Sequence, residues 1–215
     1  MEKNKKILVT YSGHARTYKQ ALPTHIEMFV LPLSVYFNVE VKFTLYVKEN
    51  IGEQEEVDID FISKLFKDFK TRINLIEESS SYQKSPKSMF SLMQLSLEKE
   101  EHDYDFIIRI RPDLKFLSPL NPNEISDFDI IFPRFGHFVD GRNDQFFIIR
   151  SEKIKESGFR ISDFAQKSSI EHPETLLKHY ISSLCLSERF IDSIDFVILR
   201  KDKVDDQRIY YRIAT

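Results

Sequence analysis

Three short polar segments hold the residues best suited to chemistry, and each adjoins an apolar run. The first is Tyr11-Ser12-Gly13-His14-Ala15-Arg16. Glycine permits close backbone approach, the helix that follows offers the positive end of its dipole, and Arg16 adds a full charge. A phosphate would suit this corner, and a tight turn with a solvated arginine accounts for the same residues. The second is Arg109-Ile110-Arg111-Pro112-Asp113. Strand alternation puts Arg109 and Arg111 on one face, and Pro112 ends regular pairing just before the carboxylate of Asp113. Two arginines on one face of an interior strand need anionic partners, because unpaired buried charge is very costly. A ligand phosphate would serve, and so would a buried Arg–Asp network through Asp113 or Asp105. The third is Asp140-Gly141-Arg142-Asn143-Asp144-Gln145, a turn that precedes its strand. If that strand runs antiparallel to 105–110, Asp144 comes to face Asp113. Glu174, after His172-Pro173, sits in the first turn of a helix, where the dipole favours its charge without any further function.

The elements that must position these residues read as an alternation of strands and helices. Ile7-Leu8-Val9-Thr10-Tyr11 is a short, largely β-branched run stopped by Ser12-Gly13, as a buried central strand reads. Helical spacing follows from Thr17 to Phe37, broken by Pro23 and Pro32 into two pieces. Residues 39–47 alternate apolar with polar, the period of a half-exposed strand. A helix at 58–69, a strand at 72–76 and a helix opened by Ser85-Pro86 precede the apolar strand 105–110. The helix from Pro86 ends at the charged cluster 98–101, and the Ser79–Ser81 triplet marks a connection. Strands at 129–132, 145–150 and 195–199 and a helix from Pro173 to about Glu188 complete the pattern. The fold class is therefore α/β, with a sheet mainly parallel in its first half, extended by antiparallel pairing and flanked by helices.

Length and composition limit the alternatives. The 215 residues suit one domain, 1–215, and the strand-like end Ile209–Ile213 with little tail is what a domain excised from a longer protein would show. Hydrophobic residues make up 41% and charged residues 30%, enough for a core and a wetted surface. A net charge of −3 gives no global attraction to nucleic acid or to anionic membranes, and no apolar run spans a bilayer, so a cytoplasmic location is expected. The lone Cys185, in the apolar run 184–186, reads as a buried inert thiol in a helix. The histidines at 14, 25, 102, 137, 172 and 179 show no zinc-ligand spacing. Gly-rich nucleotide loops of the kinase and dinucleotide types are also missing from the sequence.

In order and spacing, residues 7–18, the helix before Asp105, the run Asp105 to Phe116, Asn143-Asp144-Gln145-Phe146 and Pro173-Glu174 resemble a group of small glycosyltransferase-like proteins. That group serves surface-polysaccharide and large-virus glycan systems and resembles the GT-A fold. The resemblance implies a nucleotide-diphosphate sugar, a UDP-sugar, lying over the first β/α half, with a glycan hydroxyl as acceptor. It also implies an Asp-x-Asp element holding Mn²⁺ or Mg²⁺ against the diphosphate, and here only the last carboxylate, Asp113, survives. Asp113 alone could hold the metal, or Arg109 and Arg111 could neutralise the diphosphate with little metal dependence. The expected roles are Tyr11, Ser12 and Gly13 at the nucleoside, Arg16, Arg109 and Arg111 at the diphosphate, and Asp144, then Glu174, as base toward the acceptor. Two other classes remain open: a nucleotide- or glycan-binding module without turnover, and a phosphoryl- or nucleotidyl-transfer enzyme.

Overall fold

The apolar runs form the middle of the sheet because each is covered on both faces. The computed structural model describes residues 5–13, 15, 17–46, 56–76, 86–97, 104–125, 128–137, 140–200 and 203–205. Arg16, His14, His102, the cap Ser85, the Ser79–Ser81 triplet, the cluster 98–101 and the strand expected at 209–213 lie outside the described residues.

The order is β1 (Lys6–Ser12), α1 (Tyr18–His25), a π turn (Ile26–Val30), α2 (Leu31–Tyr36), β2 (Asn38–Tyr46), α3 (Ile59–Leu65), β3 (Lys70–Ile76), α4 (Pro86–Leu97) and β4 (Phe106–Ile110). Then come β5 (Leu114–Phe116), a 3₁₀ turn (Pro122–Glu124), β6 (Ile130–Pro133), β7 (Phe146–Arg150), α5 (Ser151–Ser157), α6 (Ile161–Lys167) and α7 (Pro173–Ser183). The last strands are β8 (Glu188–Ile191), β9 (Phe196–Arg200) and β10 (Lys203–Asp205). A 7-stranded sheet has the order β3-β2-β1-β4-β7-β6-β8, and a 3-stranded sheet has β10-β9-β5. The first four strands pair in parallel, while β7 runs antiparallel to both β4 and β6. Register sets Arg109 beside Thr10 on one side and Phe147 on the other.

Alternate residues of each strand feed two cores. Ile7, Val9 and Tyr11 pack with α1, α2 and α3 on one face, and Leu8, Ile107 and Ile149 pack with α4 to α7 on the other. Tyr11 stacks on Phe43 with ring centroids 4.4 Å apart. Phe116 joins the two sheets, stacked on Phe29 at 5.3 Å and edge-on to His25, Phe146 and Phe196.

Several expectations need correction. β2 is not half-exposed, because α4 covers its second face; Lys42 is buried and donates to the carbonyls of Leu95 and Ser96 at the end of α4. Pro23 stays inside α1 and the helical path is reset at the π turn, with Pro32 in the first turn of α2, where a missing amide costs little. The last long helix stops at Ser183 rather than near Glu188. Cys185 follows in a left-handed conformation at φ 54°, exposed rather than buried, and β8 then adds in parallel to β6. The helices α5 and α6 were not expected; Gly158, at φ 66°, ends the first of them. Among the described residues no helix is long and apolar enough to cross a membrane.

Phe116→Ala should lower unfolding stability by about 3–5 kcal/mol, because it empties the junction between the sheets. Urea titration checks this, and a midpoint equal to that of the unaltered protein would refute the role given to this ring.

Candidate functional site

β1 and β4 end side by side, and β7 begins where β4 finishes. The three chemical segments of the sequence therefore converge at one end of the sheet, the crevice where open α/β sheets bind ligands. Arg111 N–H donates to the Gln145 carbonyl at 2.9 Å, which fixes the loop ahead of β7 against the end of β4. Inside that loop Asn143 is fully buried; its Oδ1 accepts from the amides of Gln145 and Phe146, and its Nδ2 donates to Phe135. His137 accepts from the Asn143 amide, and burial pushes this imidazole down to about 4. These bonds hold Asp144, itself buried, toward the arginines. Arg142 clamps the start of α7 to the same loop: its amide donates to the Glu174 carbonyl at 2.8 Å, while its guanidinium pairs with Glu188.

Arg109 is fully buried. Its Nε donates to Ser12 Oγ at 3.2 Å and one terminal nitrogen, Nη2, donates to the Ser12 carbonyl at 3.0 Å. The other, Nη1, is buried with no hydrogen-bond partner among the described residues. Burial lowers this guanidinium to about 9, opposed by the negative charges of Asp144 and Asp113, and it stays cationic at neutral pH. Arg111 meets Asp113 through two parallel bonds, Nε to Oδ1 at 3.0 Å and Nη2 to Oδ2 at 2.6 Å. Burial disfavours the Arg111 charge, but the Asp113 carboxylate outweighs it and the net shift is upward. Gly13, at φ 123°, makes room: a Cβ there would lie 3.2 Å from Arg111 Cγ and 3.6 Å from Arg109 Nη2.

Glu174 completes the cluster. Burial and then repulsion by Asp144 push its carboxyl up to about 8, against the pull of its own backbone amide and of Arg111. Its Oε2 lies 2.9 Å from His172 Nδ1. Two carboxylates, one of them held protonated near neutrality, is an arrangement suited to proton transfer.

The structure thus brings together Ser12, Gly13, Arg109, Arg111, Asp113, Asp144 and Glu174. It does not present Tyr11, whose ring lies in the core with its hydroxyl toward His25 Nδ1 at 3.3 Å. Strand alternation explains this correction, since Tyr11 shares the parity of Ile7 and Val9 and points to the opposite face from Ser12. His25, missed as a partner, is a buried structural group whose other nitrogen meets the Leu114 carbonyl; burial lowers it to about 4. The antiparallel pairing of β7 with β4, on which the placement of Asp144 depended, is as expected.

A divalent ion does not fit Asp113 as arranged. Both carboxylate oxygens accept from Arg111, the side chain has no exposed surface, and a hydrated Mg²⁺ or Mn²⁺ needs an open oxygen. Among the described residues no group of three or more His, Cys, Asp or Glu is placed to hold a metal.

Sheet order, covering helices and crevice define a GT-A-like, Rossmann-type α/β fold. No protein-family model matches the chain. A search of curated proteins by sequence also finds no match. Solved structures do match in fold. The mannosyltransferase Ktr4p of S. cerevisiae aligns with TM-score 0.53 and 10% identity over 90% of this chain and 70% of its own. The glycosyltransferase GlyE of Streptococcus pneumoniae TIGR4 aligns with TM-score 0.53 and 14% identity, over 86% and 45%. The 4-diphosphocytidyl-2C-methyl-D-erythritol synthase of Anaerococcus prevotii DSM 20548 gives TM-score 0.51 and 8% identity, over 88% and 89%. At such identities the likeness is one of fold.

Because the neutral form of Glu174 is favoured in the folded state, its stabilising contribution is full below about 4.5 and is lost as pH rises through about 8. Glu174→Gln stays neutral throughout. It should therefore be more stable than the unaltered protein at pH 8, by on the order of 1–4 kcal/mol, with the difference vanishing near pH 4.5. Urea midpoints at the two pH values test this, and a constant difference would show that the carboxyl is not displaced.

Proposed function

We propose that this protein is a glycosyltransferase that moves a sugar from a nucleotide-diphosphate sugar, a UDP-sugar by its resemblances, to a hydroxyl of a glycan. The observation that carries this reading is the separation of roles within one crevice of a GT-A-like fold. A guanidinium pair with a nitrogen left unsatisfied lies beside a carboxyl tuned toward neutrality. In the step, the acceptor oxygen attacks the anomeric carbon and the bond from that carbon to the diphosphate breaks. The electron pair leaves with the diphosphate, where Arg109 and Arg111 meet the growing charge, and the acceptor proton passes to a carboxylate.

Glu174 is the better base, ahead of Asp144. A proton acceptor works best with a pKa near the working pH, and Glu174 has been moved there while Asp144 supplies much of the repulsion that moves it. Ser12 and Gly13 act through the arginines, one by anchoring Arg109 and the other by leaving space for both. A place for Arg16 near the diphosphate is what the resemblance implies, and this residue lies outside the described residues.

Nucleotidyl transfer is the second reading, favoured by the match to the A. prevotii synthase over 89% of that protein. The products separate the two: UDP released from UDP-sugars in the presence of a glycan, against pyrophosphate released from nucleoside triphosphates. Melting-temperature shifts with UDP, GDP, CMP and ATP select the nucleotide beforehand. Binding of UDP without release of product would leave a nucleotide-binding module.

For the transferase, Glu174→Gln should cut kcat by about 10²-fold or more with donor affinity nearly unchanged. Turnover of the unaltered enzyme should rise with pH through about 8, as the carboxylate forms. Asp144→Asn should move that rise to lower pH, since it removes a charge that keeps Glu174 protonated. A pH profile left in place by Asp144→Asn would refute the pairing.

A further inference from the structure

Two features of the arginine corner are unexplained by fold maintenance alone. Arg109 Nη1 is buried without a partner among the described residues, a state that costs free energy unless a ligand oxygen meets it. Asp113, the carboxylate whose position in the chain resembles a metal ligand's, is fully buried and engaged through both oxygens by the guanidinium two residues before it. The residue that precedes Pro112 is thus a cation where the resemblance calls for an acid.

We propose that the crevice binds a diphosphate group without a divalent cation: Arg109 and Arg111 supply the charge, and Asp113 is a positioning residue that holds the Arg111 fork. This deepens the transferase reading and rests on it for the nature of the ligand. Three observations support the substitution. The Arg111 side chain keeps 9% of its surface, so part of the guanidinium still reaches the crevice while its Nε and Nη2 are tied to Asp113. Arg109 is aligned by the oxygens of Ser12 at the end of the neighbouring strand, which leaves Nη1 without a partner among the described residues. Gly13 lets both chains lie against β1, and any side chain there would press on the Arg111 stem. A planar fork of fixed donors suits phosphate oxygens, and its charge is built in rather than recruited from solution.

The carboxylates in the cluster oppose an anion and set the limit of the proposal. Asp113 is neutralised by its bidentate pair, Asp144 acts on both arginines, and Glu174 is driven toward its neutral form. An incoming diphosphate therefore meets two guanidinium groups balanced by Asp113 and Asp144, with Glu174 already driven toward its neutral form.

Calorimetric titration of the whole chain with UDP and with inorganic pyrophosphate, each in EDTA and in excess Mg²⁺ or Mn²⁺, tests the proposal. Affinities should agree within about threefold with and without metal. In EDTA, Arg111→Lys should weaken pyrophosphate binding by about tenfold or more, since a single ammonium cannot reproduce the fork. Asp113→Asn should weaken it similarly, and the double variant should be no weaker than Arg111→Lys alone, because both changes remove one device. Binding seen only with metal, or metal-dependent tightening beyond about tenfold that Asp113→Asn abolishes, would overturn the proposal while leaving the transferase reading standing. Failure of UDP, GDP, CDP and ADP to bind under any condition would overturn both. Should Asp113→Asn not fold, Arg111→Lys and the EDTA titrations of the unaltered chain decide the matter. A lower melting temperature with unchanged pyrophosphate affinity in Asp113→Asn would overturn the positioning role.

Discussion

Keeping two guanidinium groups charged inside the protein is the constraint around which this end of the fold is arranged. A buried cation is tolerated only with close compensation. For Arg111 this comes from Asp113, two residues away, in a geometry that uses both carboxylate oxygens. For Arg109 it comes from the oxygens of Ser12 and, through space, from Asp144 and Asp113. The consequences spread outward. Residue 13 has no side chain, because any Cβ would meet the arginine stems. Gln145 binds the Arg111 amide through its carbonyl, and Asn143 ties the loop before β7 so that Asp144 is delivered to the same place. A parallel sheet alone would not supply that carboxylate, since its next strand would start at the far end. The antiparallel entry of β7 supplies it.

The same constraint explains Glu174. A carboxyl at the head of α7 would ordinarily be stabilised as an anion by the helix dipole. Here burial and the nearby charge of Asp144 outweigh its own backbone amide and Arg111, and the acid is held neutral. Such a group weakens the folded state as pH rises through the neutral range, so it is better explained by use than by stability. Two positive side chains and two negative ones balance while Glu174 stays protonated, so the crevice is electrically neutral before an anion arrives. Each further negative charge strengthens the hold of Glu174 on its proton, so under the proposed function leaving-group binding and proton acceptance are coupled at one site.

Much of this was legible in the chain because it depends on local periodicity. The period of two put Arg109 and Arg111 on one face, the continuous apolar runs marked the central strands, and the loop–strand order at 140–150 implied where Asp144 would lie if the pairing was antiparallel. What was not legible depends on tertiary cover. The alternation in β2 suggested a wet face until α4 was laid across it and Lys42 was turned to the carbonyls of that helix. Tyr11 was grouped with Ser12 because they are adjacent, although adjacency in a strand means opposite faces. α5 and α6, of seven residues each, follow β7 with only Gly158 to mark the break between them, and the end of α7 is set by a left-handed turn at Cys185 that composition does not announce.

Asp113 shows most directly how sequence and structure divide the question. In the chain its position resembles that of a metal-binding acid, and its neighbour of opposite charge reads as a separate feature. In space the two are one unit, because a guanidinium two residues upstream reaches both oxygens before any ion in solution can. A metal would have to displace a buried, charge-assisted, bidentate pair and leave Arg111 beside Arg109 without its counter-ion, a loss of the kind that destabilises proteins by several kcal/mol. A diphosphate asks for no such exchange. Under the proposal it meets the Arg111 fork already oriented and with part of its side chain exposed, and a movement that uncovers Arg109 Nη1 would let a ligand oxygen resolve a cost that the folded protein carries. The physical balance therefore favours the anion as the direct partner of the arginines and leaves the carboxylate where the fold has put it.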